Sequence, residues 1–227
     1  AWSSGQLALD TSGNVRAPGD IAAQAAVIAD NIDDLLSEAD LTAANVSRLV
    51  VYSAAHNAED HAGVSLLFAR RFGTDTLVEI VPVPHFYYDG VMLEVDVFCG
   101  RSEPVIEESL PAGGRARVKQ EGNLVLVNLT APPSSLGRAV GGLLTRHSLS
   151  PHQLLSGWGI APEPQLATVP GQLAPRLPGF FAGALMPCYL IDDQVHLYLT
   201  FGAANVDIAE KRGGRVRLHL ARTGKIA

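Results

Sequence analysis

Charge of one sign never accumulates in this chain: no basic run among its 17 Lys and Arg exceeds two residues, and the net charge is −6. Scattered cations on an acidic protein argue against nucleic acid or an anionic membrane as the main partner. Cysteine is scarce too. Cys99 and Cys188 sit in or beside apolar runs, with no CxxC and no metal-type Cys/His spacing, so buried reduced thiols are expected. No apolar segment reaches membrane-spanning length, and the first residues lack the basic and apolar stretches of a secretory leader, so a cytosolic protein is expected. There is no glycine-rich phosphate loop, nucleophile elbow or Walker pattern. His56 and His61 with Glu59 and Asp60 lack a third ligand at metal spacing, and read better as a solvated helix start whose acids favour the dipole. No metal or cofactor is expected.

What is present is a core and a repeat. Hydrophobic residues are 47% of the 227 and charged residues 18%, enough apolar material for one large or two small domains. A step of 103 residues lays the second half over the first. Val81-Pro82-Val83-Pro84 precedes Phe98 as Ala184-Leu185-Met186-Pro187 precedes Phe201, and Leu49–Tyr52 falls on His152–Leu155. That period is too long for a solenoid unit and fits a small domain present twice. The expected division is 1–100, a solvated Glu-, Pro- and Gly-rich linker at 101–114, and a diverged copy at 115–227.

In the first copy, a short strand at Gly5–Asp10 is followed by a turn at Ser12-Gly13-Asn14, and the abrupt start suggests a preceding strand. Asp20 is a candidate N-cap for a helix over 21–39 whose apolar face carries Ile21, Ala25, Ile28, Ile32, Leu35 and Leu36. A strand at 47–54, a helix at 58–72 and strands at 76–83 and 90–99 complete it. The second copy reads as a hairpin around Glu121-Gly122-Asn123, a helix at 134–147, and strands near 152–158, 180–186 and 193–201, with a possible edge strand at 215–221. Four prolines in 163–178 oppose a full-length helix there.

These residues resemble the Rid family, also called YjgF, whose founding activity is imine and enamine deamination. The resemblance runs through Ser4-Gly5-Gln6-Leu7, Asp20-Ile21-Ala22-Ala23-Gln24 with Asn31-Ile32, Asn45-Val46-Ser47-Arg48, Val51-Tyr52 and Gly90–Val95. In the second copy it rests on Gly122–Val127 and on the repeat. It implies an α+β fold of two tandem chorismate-mutase-like domains, with sheets packed into a barrel-like oligomer. Sites would lie in clefts between neighbouring domains. Two copies cannot close a three-domain ring, so a homo-oligomer is expected, a trimer above others.

The resemblance also implies an arginine that clamps a substrate carboxylate, backbone N–H groups near Gly5 and Gln6, and a glutamate that places the attacking water. The glutamate matches Glu94, either a general acid/base through water or a structural hydrogen-bonding group, with Leu197 as its repeat counterpart. The arginine position falls on Asp75 in the first copy and Pro178 in the second, so neither copy keeps the clamp. Arg70 or Arg71 could substitute in the first copy and Arg176 in the second. The loop holding His85, Tyr87 and Tyr88 could line a pocket or bury itself in a seam between subunits. His196 reads as an interface histidine. Trp158, expected at a strand end, could pack closely or wall a ligand. Three functions remain open: a Rid-like enzyme with an altered imine, enamine or related substrate, a non-catalytic small-molecule-binding protein, and a structural ring partner.

Overall fold

The computed structural model describes residues 2–55, 57–100, 104–180, 185–187 and 193–202. His56, Cys188, the edge strand expected at 215–221 and much of the strand expected at 180–186 lie outside the described residues. The class is α+β.

The first half follows the predicted order: β1 (Trp2–Leu7), α1 (Ile21–Glu38), β2 (Val46–Ser53), α2 (Ala58–Phe72), β3 (Leu77–Pro82) and β4 (Leu93–Cys99). Asp20 caps α1 by accepting from the Ala23 N–H at 3.0 Å, and the helix buries Ile21, Ala25, Ile28, Ile32 and Leu36. Leu35, expected inward, is exposed, because it lies at the margin of the apolar stripe. Gln24 is wholly buried and ties the Ala17 and Gly90 carbonyls and the Met92 N–H to α1. The sheet runs β1-β4-β2-β3, antiparallel except for β2 beside β3. Alternation sends Leu93, Val95 and Val97 into the core with the helices and leaves Glu94, Asp96 and Phe98 on the open face.

The second half contains β5 (Ile106–Ser109), β6 (Arg115–Glu121), β7 (Leu124–Ala131), α3 (Leu136–Arg146), β8 (Leu154–Ala161), α4 (Val169–Leu173), β9 (Leu185–Pro187) and β10 (Val195–Gly202). Its sheet runs β5-β6-β7-β10-β8-β9, and β7-β10-β8-β9 has the order and strand senses of β1-β4-β2-β3. The stretch expected as a solvated linker is partly sheet. The edge of β6 accepts β5, where Glu107 and Glu108 meet Arg117 and Arg146, and Leu110 is buried. α4 has five residues, in keeping with the prolines around it. Among the described residues no helix is long and apolar enough to cross a membrane.

The 103-residue step does not hold in the strands: Phe98 lies on the open face of β4 whereas Phe201 is core, and upstream the spacing is longer. α1 and α3 end in the same way, with Asp40 and Ser148 at positive φ and the next N–H, of Leu41 or Leu149, bonded back to Leu36 or Leu144. Capping boxes Thr42/Asn45 and Ser150/Gln153 then lead into β2 and β8, 108 positions apart. His152 and Gln153 therefore belong to a helical turn rather than to the strand, and Trp158 is mid-strand rather than terminal. The step drifts because the connections differ in length, α2 having 15 residues and α4 five.

Candidate active-site cleft

Arg115, Arg117 and Lys119 alternate along β6 with Ala116 and Val118, which enter the core. Period-two alternation places the three cations on one face, toward the first half. Strand register extends this face across the sheet in rows: Arg115, Thr130 and His196, then Arg117, Asn128 and Tyr198. The face meets the first half through hydrogen bonds to backbone. Tyr198 Oη donates to the Ile80 carbonyl at 3.1 Å and Arg117 Nη2 to that of Thr74 at 3.0 Å. Lys119, with no exposed surface, donates Nζ to the carbonyls of Asp75 at 2.6 Å and Ser47 at 3.3 Å. Cations thus reach the Thr74–Asp75 corner from another strand. The signal was in the sequence as Arg-x-Arg-x-Lys, but a run-based search for basic patches passes over it.

Beyond that corner a cleft of about 580 Å³ opens between the second sheet and the edge formed by α2 and β3. On the first-half side stand His61, Ser65, Val78 and Ile80. His61 does not lie on a solvated helix start: it is buried, because its helical position faces β2, and its Nε2 lies 3.1 Å from Ser53 Oγ. On the other side His196 Nδ1 lies 3.3 Å from Thr130 Oγ1. Arg115 lines the cleft, and its side chain has no ion pair or hydrogen bond among the described residues. The buried Asn128 Oδ1 also lacks a partner. At the rim, burial works against the charge of Glu108, but hydrogen bonds from Arg146 and His147, each 2.8 Å, outweigh it and hold the carboxyl below its usual range. The cleft therefore offers an uncommitted guanidinium beside hydroxyl and imidazole groups.

The predicted site residues divide. Glu94 lies on the open face of β4, opposite Leu7 and Tyr52, and lines no described cavity. Burial and then the charge of Asp96 raise its pKa. Gly5 does belong beside it: φ of +68° makes the bulge in β1, and the glycine's missing side chain would start 3.5 Å from Glu94 Oε1. The Gly5 N–H donates to Asp96 Oδ1 at 3.0 Å. Asp96, missed from sequence, is thus the acid that uses the bulge. Gln6 is next along β1 and donates to Ser3 Oγ.

Arg71 is held on the helical layer by Asp30 and Asp33 of α1, on the other side of the sheet from Glu94. Asp75 accepts from the Val105 N–H at 3.1 Å and anchors the connection to the second half. His85, Tyr87 and Tyr88 line no described cavity. Tyr87 is 96% exposed, with Tyr88 edge-on to it, because the loop they occupy extends away from both cores. Arg176 lies against Gly141 of α3, away from the cleft. Register also reassigns the counterpart of Glu94. Glu94 faces Tyr52, the seventh residue of β2, and His196 faces Ile160, the seventh of β8, so His196 rather than Leu197 holds the equivalent place. Leu197 is core.

No family model matches the chain, and no curated protein matches it. Solved structures do. A Rid-family protein of unknown function from Yersinia pestis, YyfB, is 20% identical, with 43% of this chain and 77% of that one covered at a TM-score of 0.40. Yeast Mmf1 is 21% identical, over 44% of this chain and 78% of its own, at 0.39. E. coli TdcF, solved with bound serine, is 22% identical, over 44% and 80%, at 0.37. The solved structures to which this chain is similar are thus those of Rid-family proteins.

Proposed function

We propose that the chain is a pair of Rid-like units, at 1–100 and 115–227, whose mutual cleft acts on a small imine, enamine or related reactive intermediate bearing a carboxylate. The observation that carries this reading is Arg115, an uncommitted guanidinium lining the cleft in register with Thr130 and His196. A guanidinium with free N–H groups binds a carboxylate through two parallel hydrogen bonds. His196, oriented by Thr130, takes a proton from water as its oxygen adds to the C=N carbon. The nitrogen gains that proton, giving a carbinolamine; the proton left on its hydroxyl then passes to the nitrogen as the C=O bond forms and the C–N bond breaks, so a carbonyl compound and ammonia leave. Glu94 and its open face would belong to a second site, completed by another copy in a homo-oligomer such as a trimer.

The test is release of ammonia from amino-acid-derived imines generated in situ, with and without protein. Wild type should accelerate hydrolysis and Arg115→Gln should raise KM by roughly 10- to 100-fold. Rates equal to buffer for every imine would remove the enzymatic reading. Saturable ligand binding without turnover would instead favour the non-catalytic one, which the position of Glu94 outside the cleft supports.

A further inference from the structure

A second cavity, of about 400 Å³, lies between the open faces of the two sheets. Tyr198 lines both cavities and Ile80, whose carbonyl its hydroxyl reaches, lines the cleft, so β3 divides the two. One wall holds Arg48, Glu79 and Asp96, and the other holds Trp158, Tyr198 and Thr200. The cleft reaction uses none of them.

The first wall contains an ion pair that does not close. Glu79 is 2% exposed, yet its Oε1 stays 3.8 Å from Arg48 Nη1, beyond hydrogen-bond reach. The guanidinium is held elsewhere, 4.0 Å over the Phe98 ring. Glu79 Oε2 and Arg48 Nε are both buried, and among the described residues neither has a hydrogen-bond partner. One acceptor and one donor thus stand on the same wall. Buried polar groups are ordinarily satisfied, so an unmatched pair of this kind points to a partner from outside the chain.

Charge then narrows the class. The guanidinium and the Glu79 carboxyl offset each other. Asp96 is engaged by the Gly5 N–H at 3.0 Å and faces the Tyr52 hydroxyl at 3.5 Å. An anion would meet two carboxyls and a cation would meet the guanidinium, so a neutral ligand suits the chamber. The far wall presents aromatic surface, Trp158 stacked on Tyr198 at 4.0 Å and 19°. Flat surface of this kind favours a planar ring.

We infer that this chamber binds a small, neutral, planar molecule with an amide edge, an N–H next to a C=O, of the lactam or pyrimidinone class. The ligand N–H donates to Glu79 Oε2, its carbonyl accepts from Arg48 Nε, and its ring packs beside Trp158. The inference is independent of the reaction proposed for the cleft.

Uracil is the probe. The chain has two tryptophans and Trp2 is exposed, so Trp2→Phe leaves Trp158 as the reporter. Uracil should quench Trp158 fluorescence saturably and give a matching calorimetric isotherm. 1,3-Dimethyluracil, which keeps the ring and loses the N–H groups, should bind at least about tenfold more weakly. Glu79→Leu and Arg48→Met should each cost uracil a similar factor. The methylated probe is read on the unmutated chamber, so it decides the matter even where a variant fails to fold. No saturable uracil binding, equal binding of the methylated probe, or tighter binding of benzoate or benzamidine would each overturn the inference.

Discussion

The open faces of the two sheets carry opposite chemistry on the same strand plan. The first displays Glu79, Glu94 and Asp96 with Arg48 among them. The second displays Arg115, Arg117, Lys119, Asn128, Thr130 and His196. Positions that match by register carry complementary groups, as Glu94 and His196 show. The contrast teaches why the halves dock: cations from β6 find the carbonyls at Ser47, Thr74 and Asp75.

The largest break in that contrast should come from Lys119→Met. It strips a wholly buried ammonium from two carbonyls and should cost about 3–5 kcal/mol in urea unfolding. Arg117→Met, whose guanidinium is nearer solvent, should cost less than about 1 kcal/mol. Equal losses would deny Lys119 its place at the seam.

Glu79 sharpens the comparison from the acidic side. Burial raises its pKa from 4.5 to about 7, with Arg48 pulling the other way. Between those values the folded chain holds a proton that the unfolded chain releases. Stability therefore falls as pH rises from 4.5 to about 7 and stays low above it. Glu79→Gln should flatten that slope and raise stability at about pH 8 by up to about 3 kcal/mol, measured by denaturant titration across pH. A parallel pair of wild-type and variant curves would show that Glu79 is not the group responsible.

Within the cleft, Arg115→Gln should weaken a carboxylate-bearing substrate by about 1.4–2.8 kcal/mol, and a neutral imine far less. Equal losses for both substrates would mean that Arg115 holds structure and not the anion. The smallest effect belongs to Glu94→Gln. Its carboxyl lies outside the cleft, so cleft turnover should stay within about twofold of wild type. A loss as large as that of His196→Gln would place Glu94 back in the mechanism.

Much of the fold was legible in the sequence because it rests on local rules. Asp20 before an apolar stripe, Gly122 in a hairpin turn and the prolines around α4 act over a few residues, and α2 begins and ends at the predicted positions. The function of Gln24 and Asn31 was less legible. They carry the family resemblance, yet in the structure they tie loops and β1 to α1. The site was legible least. Arg71 and Arg176 lie near the expected clamp positions along the chain, whereas α1 acids hold the first and α3 flanks the second.

Periodicity alone determined the helices and most of the strands, since burial of an apolar face repeats at 3.6 or 2 residues wherever it occurs. Only tertiary structure decided which strand supplies the cation, which histidine stands where Glu94 stands, and that Glu79 is left half-paired. Those outcomes depend on register between distant strands, where a shift of one residue turns each side chain to the opposite face.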